Sequence, residues 1–156
     1  MDSVIYEDSP YSNARQKGAP VIAMLPFIII ILFCLFTGNV IGVIGGLVAW
    51  LLIGCYHWLL FPRKYQIFDS KLRIVLGGRF PFDTLFDDLE TAREPERKEW
   101  LLGTSLGFGI YSREHTLQIV RKSRAVKYVN INPHDREEFL MHLNKALEEW
   151  RTRKPE

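Results

Sequence analysis

Between Ala19 and Pro62 the chain contains no aspartate, glutamate, lysine or arginine. A helix lying on the surface of a water-soluble protein needs a polar face, and this stretch has no charged residue to build one from. An uncharged apolar run of about 18 residues is enough to span a bilayer. This run is more than twice as long, so it is expected to cross twice. Its only polar cluster is Thr37-Gly38-Asn39, where glycine and asparagine favour a turn. The reading is a helical hairpin over 19–62, with helices over 19–36 and 40–61, because in lipid each segment must satisfy its own backbone hydrogen bonds. Arg15 and Lys17 ahead of an apolar stretch also fit a secretory signal peptide. Against that reading, no small-x-small cleavage site follows Phe36 and a second apolar segment begins at once.

Cysteine is scarce, with Cys34 and Cys55 the only two. Measured along their helices from the turn at Gly38, they lie about 6 Å and about 25 Å deep, so they cannot meet within one hairpin. A cysteine-free remainder suits a reducing compartment. The four histidines, His57, His115, His134 and His142, lack H-E-x-x-H spacing. There is also no cysteine beyond residue 55 to complete a zinc set. No glycine-rich loop leads into Lys-Ser or Lys-Thr, which argues against a phosphate cradle. Charge of one sign is lacking too: 20 Lys and Arg face 18 Asp and Glu. That balance does not make the basic footprint of a nucleic-acid binder.

The charges next to the apolar run set its orientation. Arg15 and Lys17 flank the first helix, Arg63 and Lys64 flank the second, and the connecting turn has none. Both ends are expected on the cytoplasmic side. Tyr56, His57 and Trp58 near the end of the second helix suit the headgroup region. Gly38, Gly42 and Gly46 recur every fourth residue, so one side of the second helix is small and is the expected helix-packing face. Its partner is either the first helix of the same hairpin or another copy. Residues 1–18 show no periodicity and are expected to be a mobile cytoplasmic segment.

Past Pro62 the composition changes. In KYQIFDS and KLRIVLGG apolar and polar residues alternate, which means strands, and Asp69-Ser70 joins them as a hairpin. RFPFDTLFDDLETARE predicts a short extended piece broken by Pro81, a turn, and a strand over about Leu85 to Arg93. Two runs follow, at about Trp100–Ser105 and Phe108–Tyr111, joined by Gly107. HTLQIVR and AVKYVNI make another hairpin across Lys122-Ser123-Arg124, giving about seven short strands. The ending differs in kind. Asn132 reads as an N-cap and Pro133 as the first helical position, with Asp135, Glu137 and Glu138 in the first turns. Phe139, Leu143, Leu147 and Trp150 recur at helical spacing, so this helix must cover an apolar surface.

Strands followed by one closing amphipathic helix are the plan of a pleckstrin-homology-like barrel. Residues 63–151 resemble the bacterial pleckstrin-homology-like domains found beside transmembrane segments, through YQIFDSKLRIVLGG, FPFDTLFDDLETARE and above all VNINPHDREEFLMHL. The resemblance implies an α+β, mainly β barrel of about seven strands capped by a C-terminal helix. It also implies a bacterial plasma-membrane protein. Residues 152–156 form a basic tail.

Gly103-Thr104-Ser105-Leu106-Gly107 fits G-x-S-x-G, which in hydrolases carries a serine nucleophile at a strand-to-helix turn. Here strand-like HTLQIV follows instead of a helix, so Gly103, Gly107 and Gly109 read as positions of unusual backbone angle or close strand contact. Asp83, Asp87, Asp88 and Glu90 lack calcium-loop spacing and read as a solvated turn. The remaining candidates are basic. Arg63, Lys64, Lys71, Arg73 and Arg79 fall in the strands closest to the membrane, and Arg121, Lys122, Arg124 and Lys127 gather around a later hairpin. A basic residue near an anionic surface contributes about 1 kcal/mol. The chain is thus expected to be a membrane-tethered, non-enzymatic binding or scaffolding module without cofactor or metal. Its domain would engage a protein partner or itself, with anionic-lipid headgroup recognition as the alternative. Transport through an oligomer of hairpins finds too few polar groups in the membrane.

Overall fold

The computed structural model describes residues 3–12, 14–78, 80–95, 105–109, 112, 114–123 and 125–153. The chain divides into two compact units: Met1–Tyr11 with Pro62–Glu156, and Ser12–Phe61.

The second of these is a pair of helices, α1 (Ala14–Phe36) and α2 (Val40–Leu60). They are parted by Thr37-Gly38-Asn39, as the sequence predicts. Gly38 takes a φ of 69°, which glycine adopts without steric cost. Asn39 then caps α2, its side chain accepting from the Gly42 N–H at 3.0 Å. Within α2 the stretch Val40–Leu59 is long and apolar enough to cross a membrane. The expectation of two such spans is narrowed here. Among the described residues the apolar part of α1 is Val21–Phe36, a shorter run of about 24 Å. The helix itself begins at Ala14, so its first turns carry the polar residues Arg15, Gln16 and Lys17.

The other unit begins with a strand where a mobile segment is expected. β1 (Val4–Asp8) pairs antiparallel with β2 (Pro62–Phe68). Val-Ile-Tyr is strand-prone, but five residues carry too little alternation to be recognised without the partner strand. β2 turns into β3 (Lys71–Leu76), and β3 pairs with β4 (Pro81–Leu85). Pro81 does not break this segment. It opens β4 at the border of the sheet, where strands tolerate proline. β5 starts at Leu89 and ends at Arg93; Leu85 belongs to β4, and Phe86 to Asp88 form the turn between them. β6 is Ser105–Phe108, with Gly107 inside it and not at a joint. The rest of the two runs expected there lies outside the described residues. β7 (Leu117–Arg121) and β8 (Tyr128–Ile131) are antiparallel neighbours, and β6 lies parallel to β8.

The strand orders are β1-β2-β3-β4 and β5-β7-β8-β6. Among the described residues there are therefore three helices and eight strands, in two sheets that do not close into the expected barrel. One seam joins them. Pro10 bridges to Pro133, flanked by Tyr11 N–H to Asn132 O at 2.8 Å and His134 N–H to Ser9 O at 2.9 Å.

α3 (Arg136–Arg153) starts later than expected. Asp135 is its cap, accepting from the Glu138 N–H at 3.0 Å, because Asn132 and Pro133 are committed to the seam. Glu137 and Glu138 in the first turn and Arg151 and Arg153 in the last suit the helix dipole. Phe139, Leu143, Ala146 and Leu147 are buried in one core with Tyr65, Ile67, Leu72 and Ile74 of the first sheet and Leu117, Ile119, Val129 and Ile131 of the second. Each large side chain so buried contributes about 1.5 to 3 kcal/mol.

Candidate functional site

The predicted helix-packing glycines behave differently from one another. A Cβ built on Gly42 would lie 2.5 Å from Cys34 Sγ, and one on Gly46 would lie 2.6 Å from Ile31 Cγ1. Both positions therefore face α1 so closely that an added Cβ would force the Cys34 or Ile31 side chain to shift. Gly38 does not share that face; its place is the turn, with open space around it. Gly54, on the same every-fourth row beyond its interruption at Trp50, faces Met24, whose Cε would be 3.2 Å from an added Cβ. The small face is thus occupied by the neighbouring helix of the same chain.

The predicted basic group is not one surface. Arg121 is the best held of its members. Its guanidinium reaches Asp88 Oδ2 through Nε at 2.7 Å and through a terminal nitrogen at 2.6 Å. It also lies 5.7 Å from the centre of the Phe82 ring. Asp88 completes a local knot, taking the Ser123 N–H on Oδ1 and the Lys122 N–H on its carbonyl. The Lys122 side chain is exposed, and Lys127, also exposed, lies over the Tyr128 ring. Arg124 and Arg79 lie outside the described residues, as do Gly103 and Thr104.

Arg63 and Lys64 open β2 and are exposed. Lys64 pairs with Glu7 of β1 at 2.7 Å, and Gln66 donates to the other Glu7 oxygen at 2.7 Å. One row of the register runs across the first sheet through Glu7, Gln66, Arg73 and Asp83. At its far end Arg73 holds Asp83 through two hydrogen bonds of 2.7 and 2.8 Å, with Lys71 3.7 Å away. The Arg73 hydrogen bonds keep the Asp83 carboxyl below its usual range, against the opposing effect of burial. Glu7 is lowered too, by its bonds to Lys64 and Gln66. The acidic residues expected to be a solvated turn are therefore partly structural: Asp83 and Asp88 each anchor an arginine.

Ser105 opens β6, opposite Tyr128 of β8. Among the described residues no helix comes between β6 and β7, so the strand-to-helix turn of the hydrolase pattern is missing. Gly109 has a φ of 105° and packs beside Asn132, which accounts for a glycine there.

The residues that sequence reasoning missed are those that hold β1 and its continuation in place. Tyr6 stacks on His142 with ring centres 4.2 Å apart and meets Phe139 edge-on at 6.1 Å. Tyr11 stacks on His115 at 3.5 Å. Asn132 is buried, taking the Thr116 hydroxyl on Oδ1 at 2.8 Å and donating its N–H to the Tyr65 hydroxyl at 3.2 Å. Burial, then the nearby charges of Asp8 and Glu138, push the Tyr6 hydroxyl up to about 12. Burial also raises that of Tyr65. A cluster of three or more histidine, cysteine or acidic side chains suited to a metal does not occur among the described residues. Cys34 and Cys55 are both free thiols.

No family model, curated protein or solved structure matches the chain.

Proposed function

We propose that this chain is a membrane-tethered, non-enzymatic binding or scaffolding module of the bacterial plasma membrane, with a pleckstrin-homology-like domain that engages a protein partner or a second copy. The observation that carries the tether is α2, whose apolar side chains face outward: Ile41, Val40 and Leu52 are 84%, 68% and 65% exposed. Such a surface calls for lipid. A hydrogen-bond argument supports an even number of crossings. β1 and β2 are paired neighbours, Asp8 opposite Tyr65, and the whole helical unit is inserted between them. A chain that leaves a sheet and rejoins it as the adjacent strand returns to the side it left. If α2 crosses, α1 must cross as well. From Ala19 to Phe36 α1 offers about 27 Å of uncharged helix, a small shortfall that local thinning of the bilayer accommodates. Both termini are then cytoplasmic by the positive-inside rule.

The resemblance of residues 63–151 and the two sheets with a covering helix support the domain assignment. Partner binding is favoured over headgroup recognition because Arg121, Lys64, Arg73 and Lys71 have carboxylate partners within the domain. In-cell crosslinking of tagged protein, followed by extraction and mass spectrometry, tests this reading. One stoichiometric membrane complex is the expected result; recovery of the chain alone overturns a separate protein partner and leaves the second copy, and recovery of lipid alone overturns both. Charge reversal at Lys122 and Lys127 separates the alternative. Headgroup recognition predicts loss of binding to anionic vesicles with assembly intact. Arg121 is unsuited to that test, since its reversal breaks the Asp88 pair.

A further inference from the structure

The first sheet has two ends, and its register assigns residues to each. At one end lie Asp8, Pro62, Leu76 and Pro81; at the other lie Val4, Phe68, Lys71 and Leu85. The first end is where β1 stops and β2 begins, so it is where the chain departs for the helices and comes back from them. Only Phe61 separates the last residue of α2, Leu60, from the first of β2, Pro62. Covalent connectivity therefore keeps this end within a few residues' reach of the bilayer surface, on the reading that α2 spans the membrane.

The antiparallel order places the β3–β4 turn at that same end. Gly77 and Gly78 follow β3, and the turn closes with Leu76 N–H to Phe80 O at 3.1 Å. Phe80 is 64% exposed, a large aromatic side chain standing outside the core at a turn tip. Arg63 is exposed at the same end. The acidic residue there, Asp8, is turned back onto the chain, accepting from Ser9 N–H at 2.7 Å and Asp135 N–H at 3.3 Å. An exposed ring and an exposed cation at the same end of the sheet, a few residues from the proposed membrane helix, match the chemistry of the headgroup region. Aromatic rings are favoured there, and arginine meets lipid phosphate.

We propose that the β3–β4 turn is a membrane-contact site, with Phe80 inserted at the acyl boundary and Arg63 on anionic headgroups. The domain is then held to the surface at a second point besides the tether, which limits the orientations it can present to a partner. This inference rests on the tether reading of α2, and its test separates the two.

The full chain, with Cys34 and Cys55 replaced by alanine, is labelled at a single introduced cysteine with an environment-sensitive fluorophore. It is then reconstituted in vesicles of phosphatidylcholine and phosphatidylglycerol carrying shallow or deep nitroxide lipids. Phe80→Cys is the site of interest. Leu85→Cys is its control, at the far end of the adjoining strand β4 and 54% exposed, about 17 Å away along the chain direction. Leu47→Cys, within α2, reports the tether. The expected result is shallow quenching several-fold stronger at position 80 than at 85, with deep quenching at 47. Equal quenching at 80 and 85, with 47 still quenched, overturns the contact site alone. No deep quenching at 47 removes the tether, and the contact site with it.

Discussion

Tyr6 sits between two charge environments, and its chemistry reports whether the N-terminal strand is docked. Its hydroxyl is pushed up to about 12, from an ordinary 10, by burial and by Asp8 and Glu138. For a group whose folded pKa is raised, stability is complete below the unfolded value and is lost as pH rises through the folded one. Docking should accordingly weaken between about pH 10 and 12. Titration of tyrosinate absorbance in the full chain should show a late step near 12 whose amplitude Tyr6→Phe lowers by one tyrosine, Tyr65 titrating later still; an unchanged amplitude would mean β1 does not hold Tyr6. Glu7 works in the opposite sense. Its carboxyl is lowered by Lys64 and Gln66, so its contribution is present above the ordinary carboxylate range and is lost as pH falls through the folded value.

Asp88 offers a second test at this scale. It satisfies Arg121 and the Ser123 N–H at once, both partly buried. Asp88→Ala leaves those donors without their acceptor and should cost about 1 to 3 kcal/mol in the unfolding of the full chain. Lys122→Glu, on the exposed side chain beside it, should stay within about 0.5 kcal/mol. Equal effects would contradict the knot.

Among the elements, β1 is the one that joins the parts. It adds a strand to the first sheet, and through Ser9 to Tyr11 it ties that sheet to the segment after β8. Deleting residues 1–11 exposes the edge of β2 and uncovers Phe139 and His142. The expected outcome is a domain that melts earlier and aggregates, measured by thermal scanning in detergent; unchanged melting would show that β1 is dispensable. In the helical unit, Gly46→Leu should force α1 and α2 apart against Ile31, at a cost of about 1 to 3 kcal/mol. Gly45→Leu, with open space around it, should not.

These elements also show what was legible beforehand. The helix break at Thr37-Gly38-Asn39 and the β2–β3 and β7–β8 hairpins could be read because each depends on local chemistry: turn residues and a period of two. β1 could not, since its strand character depends on pairing with residues about sixty positions away. The helix cap departs from the sequence expectation for a related reason. Asn132 is a good cap in isolation, but its groups are taken by Tyr11, Thr116 and Tyr65, two of them distant in sequence. Of the candidate contacts, composition revealed that Arg121 was basic, while only the fold revealed that Asp88 holds it.

For the whole molecule, the account turns on one topological relation: an apolar helical unit inserted between two paired strands. On the proposal that α2 spans a membrane, that relation requires the regions before and after the helices to share one side of it, whatever partner the domain meets. The direct measurement is labelling by a membrane-impermeant maleimide in sealed, oriented vesicles of single-cysteine variants, with Cys34 and Cys55 replaced by alanine. The variants are Ser3→Cys in the N-terminal segment, Thr37→Cys in the turn between the helices, and Lys145→Cys in α3. The account predicts that positions 3 and 145 label from the same side and position 37 from the other. Labelling of 3 and 145 from opposite sides, or of all three from one side, would contradict it.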